Sequence, residues 1–220
     1  MTEFTKKHFF ARVIYIPYYH IMKIFRYDCQ IEKFILSYTR DNRICDSILD
    51  IGCGPGVVGL TLSKIYPKAT ITFTDINVGF LKKIEAKLNN KQKATFGISD
   101  ISQPNQIRFF SGERKAFKDQ TFDIISAGAN IGYSSDLDSA ILTLYQMLKP
   151  GGYIINLEMN NDFWGKLISR VYGYRSVSLK NISSSLRSTN AVVSAKPIPK
   201  SFFPLGLTRQ CIIIKKPNEK

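Results

Sequence analysis

Cysteine is scarce, with four residues in 220, and none of them forms a Cys-x-x-Cys pair. That excludes a disulfide framework. Two of the four lie in apolar strand-like runs, so Cys29, Cys45, Cys53 and Cys211 are read as reduced thiols of a cytoplasmic protein, and no metal site is expected. No run reaches the roughly 18 to 20 apolar residues that span a bilayer. The stretch Met1 to Arg12 lacks the uninterrupted apolar core and small-residue cleavage site of a secretory signal. Internal repeats are absent as well. Hydrophobic content of 44% and charged content of 22% are those of a globular chain, which excludes wholesale disorder. A chain of this length buries one sizeable core, so a single domain over 1–220 is expected. Acidic residues are the marked deficit: 17 Asp and Glu stand against 31 Lys and Arg, a net charge of +14. The deficit is uneven, at +4 over residues 1–45, +2 over 46–150 and +8 over 151–220. A near-neutral middle with basic flanks suits an anionic substrate, a membrane surface or nucleic acid, or else a general surface bias toward lysine.

What is present is one organising stretch, Ser47-Ile48-Leu49-Asp50-Ile51-Gly52-Cys53-Gly54-Pro55-Gly56-Val57-Val58-Gly59-Leu60. Ile48, Leu49 and Ile51 read as a strand buried on both faces of a parallel sheet. The glycines allow a tight turn and close approach of backbone to a ligand, and a helix from about Val57 to Ile65 would aim its N–H groups into that turn. Gly54-x-Gly56-x-x-Gly59 also satisfies the dinucleotide fingerprint, with Asp75 19 residues beyond Gly56 where a ribose-binding acid belongs. Against a pyrophosphate stands Asp50, whose carboxylate would repel it and would favour a cation.

Leu-Asp-Ile-Gly-Cys-Gly-Pro-Gly, followed by Thr74-Asp75-Ile76 at the end of the next strand, resembles motif I and its partner acid in class I S-adenosylmethionine-dependent methyltransferases. The later runs Phe122-Asp123-Ile124-Ile125-Ser126 and Leu148-Lys149-Pro150-Gly151-Gly152 are similar to those of the same family. The resemblance spans roughly residues 45–160. It implies an α/β fold: a doubly wound, mainly parallel seven-stranded sheet with helices on both faces, the last strand antiparallel. It also implies S-adenosyl-L-methionine as cofactor, held by Asp50, Gly52, Cys53, Gly54 and Gly56 in the turn. Asp75 and Ile76 would meet the ribose, Asp100 and Ile101 the adenine, and Ala127 and Gly128 the methyl-donor end. Asp75 has an alternative role as the N-cap of the next helix. Phe109-Phe110-Ser111-Gly112-Glu113 is a rival to Ala94–Asp100 as strand plus acid; Asp100 is preferred, at the cost of a long connection over 102–118.

Pro17-Tyr18-Tyr19-His20 matches the place where an N-terminal tyrosine of the family reaches the cofactor carboxylate, which singles out Tyr19. His20 replaces an aspartate there. The chain divides into an N-terminal helical lid (1–45, with helices near 4–15 and 21–38), a cofactor core (46–158), a substrate-side insertion (159–190) and closing strands (191–220). The insertion carries a helical stripe of Phe163, Trp164, Leu167, Ile168, Val171 and Tyr172, which otherwise reads as a plain surface helix. Candidates for proton handling are Tyr133 and His20, either of which packing or substrate contact would also explain. An Asn-Pro-Pro-Tyr motif is absent, which disfavours adenine-N6 and glutamine methylation. The expected acceptor is a small molecule or lipid met by the basic flanks, with an anionic membrane surface as partner. Methylation or plain binding of nucleic acid is the alternative.

Overall fold

A computed structural model describes residues 23–39, 44–88 and 92–218. Their elements are α1 (Tyr27–Tyr38), β1 (Ser47–Ile51), α2 (Val57–Ile65), β2 (Thr70–Thr74), α3 (Val78–Glu85), β3 (Ala94–Ile98), β4 (Gln106–Phe109), β5 (Arg114–Ala116) and β6 (Phe122–Ala127). A 3-10 turn (Ile131–Tyr133) leads to α4 (Leu137–Gln146), β7 (Leu148–Met159), α5 (Phe163–Tyr172), α6 (Leu179–Ser185), β8 (Val192–Lys196), α7 (Leu205–Thr208) and β9 (Arg209–Lys215). The expected helices near 4–15, and Tyr19 and His20 with them, lie outside the described residues.

All nine strands join one sheet in the order β5-β4-β3-β2-β1-β6-β7-β9-β8. From β3 through β7 neighbouring strands run parallel, whereas β9 is antiparallel to both β7 and β8. Seven strands were expected; the other two are β4 and β5, a hairpin that occupies the long connection over 102–118. It pairs antiparallel with the outer edge of β3, through Gly97 with Phe109 and Ile98 with Arg108, satisfying backbone groups that would otherwise be exposed. Every residue of β5 is exposed, and Arg114 and Lys115 guard the new edge against further pairing.

β1 is buried on both sides, as its apolar run requires. Ile48 packs with Phe34 and Ile35 of α1, Leu62 of α2 and Ile84 of α3. Leu49 and Ile51 face Ile141 and Leu144 of α4 and Ile182 of α6. Two local expectations are corrected. The helix expected over about Ile21 to Tyr38 is broken: Lys23 and Ile24 are helical, Phe25 and Arg26 turn, and α1 starts at Tyr27 after Arg26 adopts a left-handed backbone, φ 50°. The Lys149–Gly152 turn is a bulge within β7: Leu148 pairs with Phe122 and Tyr153 with Ile124, so four residues stand opposite one. Gly151, at φ 75°, permits that excursion.

Candidate functional site

The chain steps outward from β1 to β2 to β3, then returns to add β6 on the other side of β1. That reversal leaves a crevice beyond the C-terminal ends of β1 and β6, the place where open α/β sheets bind ligands. The glycine turn forms its floor. Gly52, Gly54 and Gly56 all have positive φ, at 57°, 51° and 78°, which explains three glycines in five residues. Their surroundings differ. A Cβ on Gly52 would strike the Asn130 side chain, one on Gly56 the Ile84 side chain, and one on Gly59 the Phe73 ring and the Asp50 carboxylate. A Cβ on Gly54 would meet nothing within 4 Å. Gly54 therefore presents bare backbone to open space, while the others allow close packing.

Asp50 lies at 2% exposure. Its Oδ2 accepts the Gly59 amide at 3.1 Å and its Oδ1 the Ser126 hydroxyl at 2.6 Å. These bonds fasten the start of α2 to β1 and β6 and set the carboxylate beneath the turn. Burial pushes its pKa up to about 7, against the lowering effect of the Ser126 and Gly59 hydrogen bonds. Cys53 donates its backbone N–H to the Thr74 carbonyl at 2.9 Å. Burial, then the charges of Asp50 and Asp75, push its thiol far above the ordinary range, so it is no nucleophile at neutral pH.

Asp75, at 8% exposure, accepts the Gly54 amide at 2.9 Å and the Asn77 amide at 2.7 Å, one on each oxygen. Each oxygen keeps a lone pair for a further donor. The alternative role as N-cap of α3 belongs instead to Asn77, whose Oδ1 accepts the Gly79 amide at 2.9 Å. Asp100 follows β3, exposed, and holds its own turn by accepting the Ser102 amide at 2.8 Å. Its rival Glu113 sits in the β4–β5 link, which points back past Phe96 toward the opposite end of the sheet. Ile76 is 73% exposed beside Asp75, while Ile101 is buried in the core on the α4 face.

Past β6, Ala127 is buried and Gly128 is exposed, with nothing within 4 Å of a Cβ position. Ala129 then takes a left-handed backbone, φ 50°, a conformation that costs a non-glycine residue on the order of 1–3 kcal/mol and clusters at functional sites. Sequence reading passed over Asn130 in this segment. Its Nδ2 donates to the Ile51 carbonyl at 2.5 Å, and its Oδ1 is buried without a partner. Thr74 Oγ1, Ser99 Oγ and Asn156 Oδ1 are also buried without partners among the described residues. These four atoms sit at or near the C-terminal ends of β2, β3, β6 and β7; a fifth, Ser169 Oγ, lies in α5. Native interiors tolerate few such atoms.

Tyr133 is half exposed, gives its hydroxyl proton to the Tyr172 carbonyl at 3.3 Å, and packs edge-on against Tyr174. Burial raises its pKa. Sequence reading also missed Glu158, fully buried at the C-terminal end of β7. Glu158 accepts the Tyr174 hydroxyl at 2.7 Å, and Tyr174 in turn accepts the Gly132 amide at 3.2 Å. This chain of bonds fastens the 159–190 segment to the turn after β6.

A glycine turn, a strand-terminal carboxylate with spare lone pairs and a switch-point crevice define an α/β protein that binds a nucleoside-bearing ligand. A family model described as "Methyltransferase domain" matches residues 49–154. Malonyl-[acyl-carrier protein] O-methyltransferase 2 of Ilyobacter polytropus is 24% identical over 163 residues, covering 74% of this chain and 55% of that protein. Sterol 4-C-methyltransferase of Caenorhabditis elegans is 33% identical over 117 residues, 52% of this chain and 32% of that protein. The crystal structure of an S-adenosylmethionine-dependent methyltransferase from Mesorhizobium loti superposes with a TM-score of 0.64 at 12% identity, covering 84% of this chain and 96% of that one. Over residues 49–154 the chain carries a methyltransferase domain of the class I S-adenosylmethionine-dependent kind. It spans about half the length, or less, of the curated relatives it matches.

The residues present fit that cofactor. Gly54 and Gly128 leave backbone open to it, Asp75 offers acceptors for two ribose hydroxyls, and Asn130 Oδ1 is an unused acceptor for an ammonium group. Asp50 adds a carboxylate beneath the turn, suited to a cation and unsuited to a pyrophosphate. No cluster of side chains able to hold a metal ion occurs among the described residues.

Proposed function

We propose that this chain transfers a methyl group from S-adenosylmethionine to a small-molecule or lipid acceptor. The observation that supports it most is the glycine turn with the Asp75 carboxylate at its side, each Asp75 oxygen keeping a lone pair free next to the open backbone of Gly54. When bound, S-adenosylmethionine supplies an electrophilic methyl group on a positively charged sulfur. The chain's own part is to hold and orient. Asp75 accepts the ribose hydroxyls, Asn130 the ammonium, and Asp100 and Ile76 border the adenine side. Fixing two reactants in line replaces a bimolecular encounter with an effectively unimolecular one.

On the acceptor side the Glu158–Tyr174–Gly132 bonds hold the 159–190 segment in place. Tyr133 acts there as a hydrogen-bond donor and contact surface rather than as a base, because burial raises its pKa and its proton is already directed to a carbonyl. The relatives named above are called an O-methyltransferase of an acyl carrier protein and a C-methyltransferase of a sterol, which favours apolar or acyl acceptors over nucleic acid. Mass spectrometry of metabolites and lipids from cells with and without the protein, fed a labelled methyl donor, tests this. A labelled species that depends on the protein and lies in the small-molecule or lipid fraction is expected. Label confined to nucleic acid would overturn the reading.

A further inference from the structure

We infer that the outward face of α5, with the Phe25–Phe203 pair beside it, is a docking surface for an anionic lipid bilayer. The inward side of α5 is closely fitted. A Cβ on Gly165 would strike the Asn160 backbone, and Ser169 is buried. Asp162 caps the helix by accepting the Gly165 amide at 2.8 Å, and Gly173 ends it in a left-handed conformation. The opposite side is apolar and open: Phe163, Trp164 and Leu167 are 71%, 50% and 41% exposed. Asn160, just before α5, is bonded to Thr208 and Leu207 of α7. α7 also meets α1, through Gln30, which bonds the Phe203 carbonyl and the Leu205 amide. Next to that junction Phe25 and Phe203 pack edge to face at 4.9 Å, both more than 40% exposed.

Single exposed apolar residues need no explanation. Here three share one face of a ten-residue helix, with a second aromatic pair on the same junction. The charge around them selects the partner. Lys166, Arg170 and Lys200 are exposed alongside, the nearby carboxylate of Asp162 is engaged as the helix cap, and residues 151–220 carry a net +8. Apolar side chains flanked by lysine and arginine are the two requirements of a helix lying in a membrane interface. No described helix is long and apolar enough to cross a membrane, so attachment would be at the surface. The inference rests on the reading above for its purpose, because an apolar acceptor is met where it is dissolved. Lipid binding itself is measured without turnover, so failure of one is distinguishable from failure of the other.

Trp164 is the sole tryptophan of the chain and reports directly. The full chain is titrated with vesicles of phosphatidylglycerol mixed with phosphatidylcholine, and with phosphatidylcholine alone, at low and high salt. Expected are a blue shift of Trp164 emission, protection from an aqueous quencher and co-sedimentation, on the anionic vesicles only, weakened at least tenfold by high salt. Phe163→Ser with Leu167→Ser should lower the partition coefficient at least tenfold, while S-adenosylmethionine binding, measured on the same preparation, shows the variant folded. Lys166→Glu with Arg170→Glu should abolish binding to anionic vesicles. Unchanged emission and no sedimentation at low salt overturns the inference. So does equal binding to both vesicles, binding that survives the Phe163 and Leu167 changes, or a dimer in solution that buries Trp164.

Discussion

Replacing Asp50 by asparagine removes a charge and almost no volume. The carboxamide oxygen can still accept the Gly59 amide, and the carboxamide nitrogen can donate to Ser126 Oγ, so the turn should persist. The structure then fixes the sign of two pH effects. In the folded chain burial raises the Asp50 pKa to about 7, against roughly 4 in an unfolded chain. Between those values the folded state binds the proton and the unfolded state does not, so the stability this group contributes is full below about pH 4. It falls as pH rises toward 7 and is flat above. The gap corresponds to on the order of 4 kcal/mol as an upper bound. A cationic ligand reverses the preference by favouring the carboxylate. As pH rises from 6 to 8 the ionised fraction of a group with this pKa grows by about tenfold, roughly 1.4 kcal/mol. S-adenosylmethionine should therefore gain up to tenfold in affinity over that range relative to its demethylated product, whose sulfur is neutral. Asp50→Asn should flatten both the stability profile and the affinity ratio. Urea denaturation and calorimetry between pH 5 and 8 measure them. A variant whose ratio and stability follow pH as the parent's do would refute the assignment of the effect to Asp50.

Asp75→Ala should weaken the adenosyl ligand by roughly 2–3 kcal/mol, two hydrogen bonds to a charged group, and cost about 1–3 kcal/mol of stability because the Gly54 and Asn77 amides lose their acceptor; calorimetry beside thermal denaturation checks both. Gly59→Ala, forced against Phe73 and Asp50, should lose about 1–3 kcal/mol of stability. Gly54→Ala has open space, so backbone strain of about 1–2 kcal/mol and impaired cofactor binding are expected; denaturant titration and calorimetry on both variants separate the two patterns. Tyr174→Phe leaves Glu158 without its hydroxyl partner, though still bonded to the Met159 amide, and should cost about 1–3 kcal/mol. Adding Glu158→Gln should recover part of that loss, a coupling that denaturant titration of the double-mutant cycle reads out.

The core of the fold was legible because its signals are local. Ile48, Leu49 and Ile51 carry a buried parallel strand in their own composition, and Gly52, Gly54 and Gly56 announce the turn through a backbone conformation that few other residues accept. α2 begins at Val57 and ends at Ile65 as read, and the seven expected strands occupy their expected places. The β4–β5 hairpin was missed because Arg114-Lys115-Ala116 has no strand pattern; only the vacant edge of β3 makes it pair. The break at Arg26 was hidden because Ile21 to Tyr38 keeps one helical spacing on both sides of it. Asp50 and Asp75 were both legible as acids at strand ends, but a sequence does not show which way their oxygens face. Asn130 and Glu158 gave no signal at all. One is defined by contact with Gly52 across two strands, the other by Tyr174 from a separate segment. Tyr19 and His20 lie outside the described residues, as does the expected helix near 4–15.

The central claim is that the crevice at the ends of β1 and β6 takes S-adenosylmethionine. Calorimetric titration of the full chain with S-adenosylmethionine, its demethylated product, NAD and NADP tests it most directly. Saturable one-site binding of the first two, lost in Asp75→Ala, with no heat from either dinucleotide, is the predicted result. Binding of NAD or NADP without binding of S-adenosylmethionine would contradict it.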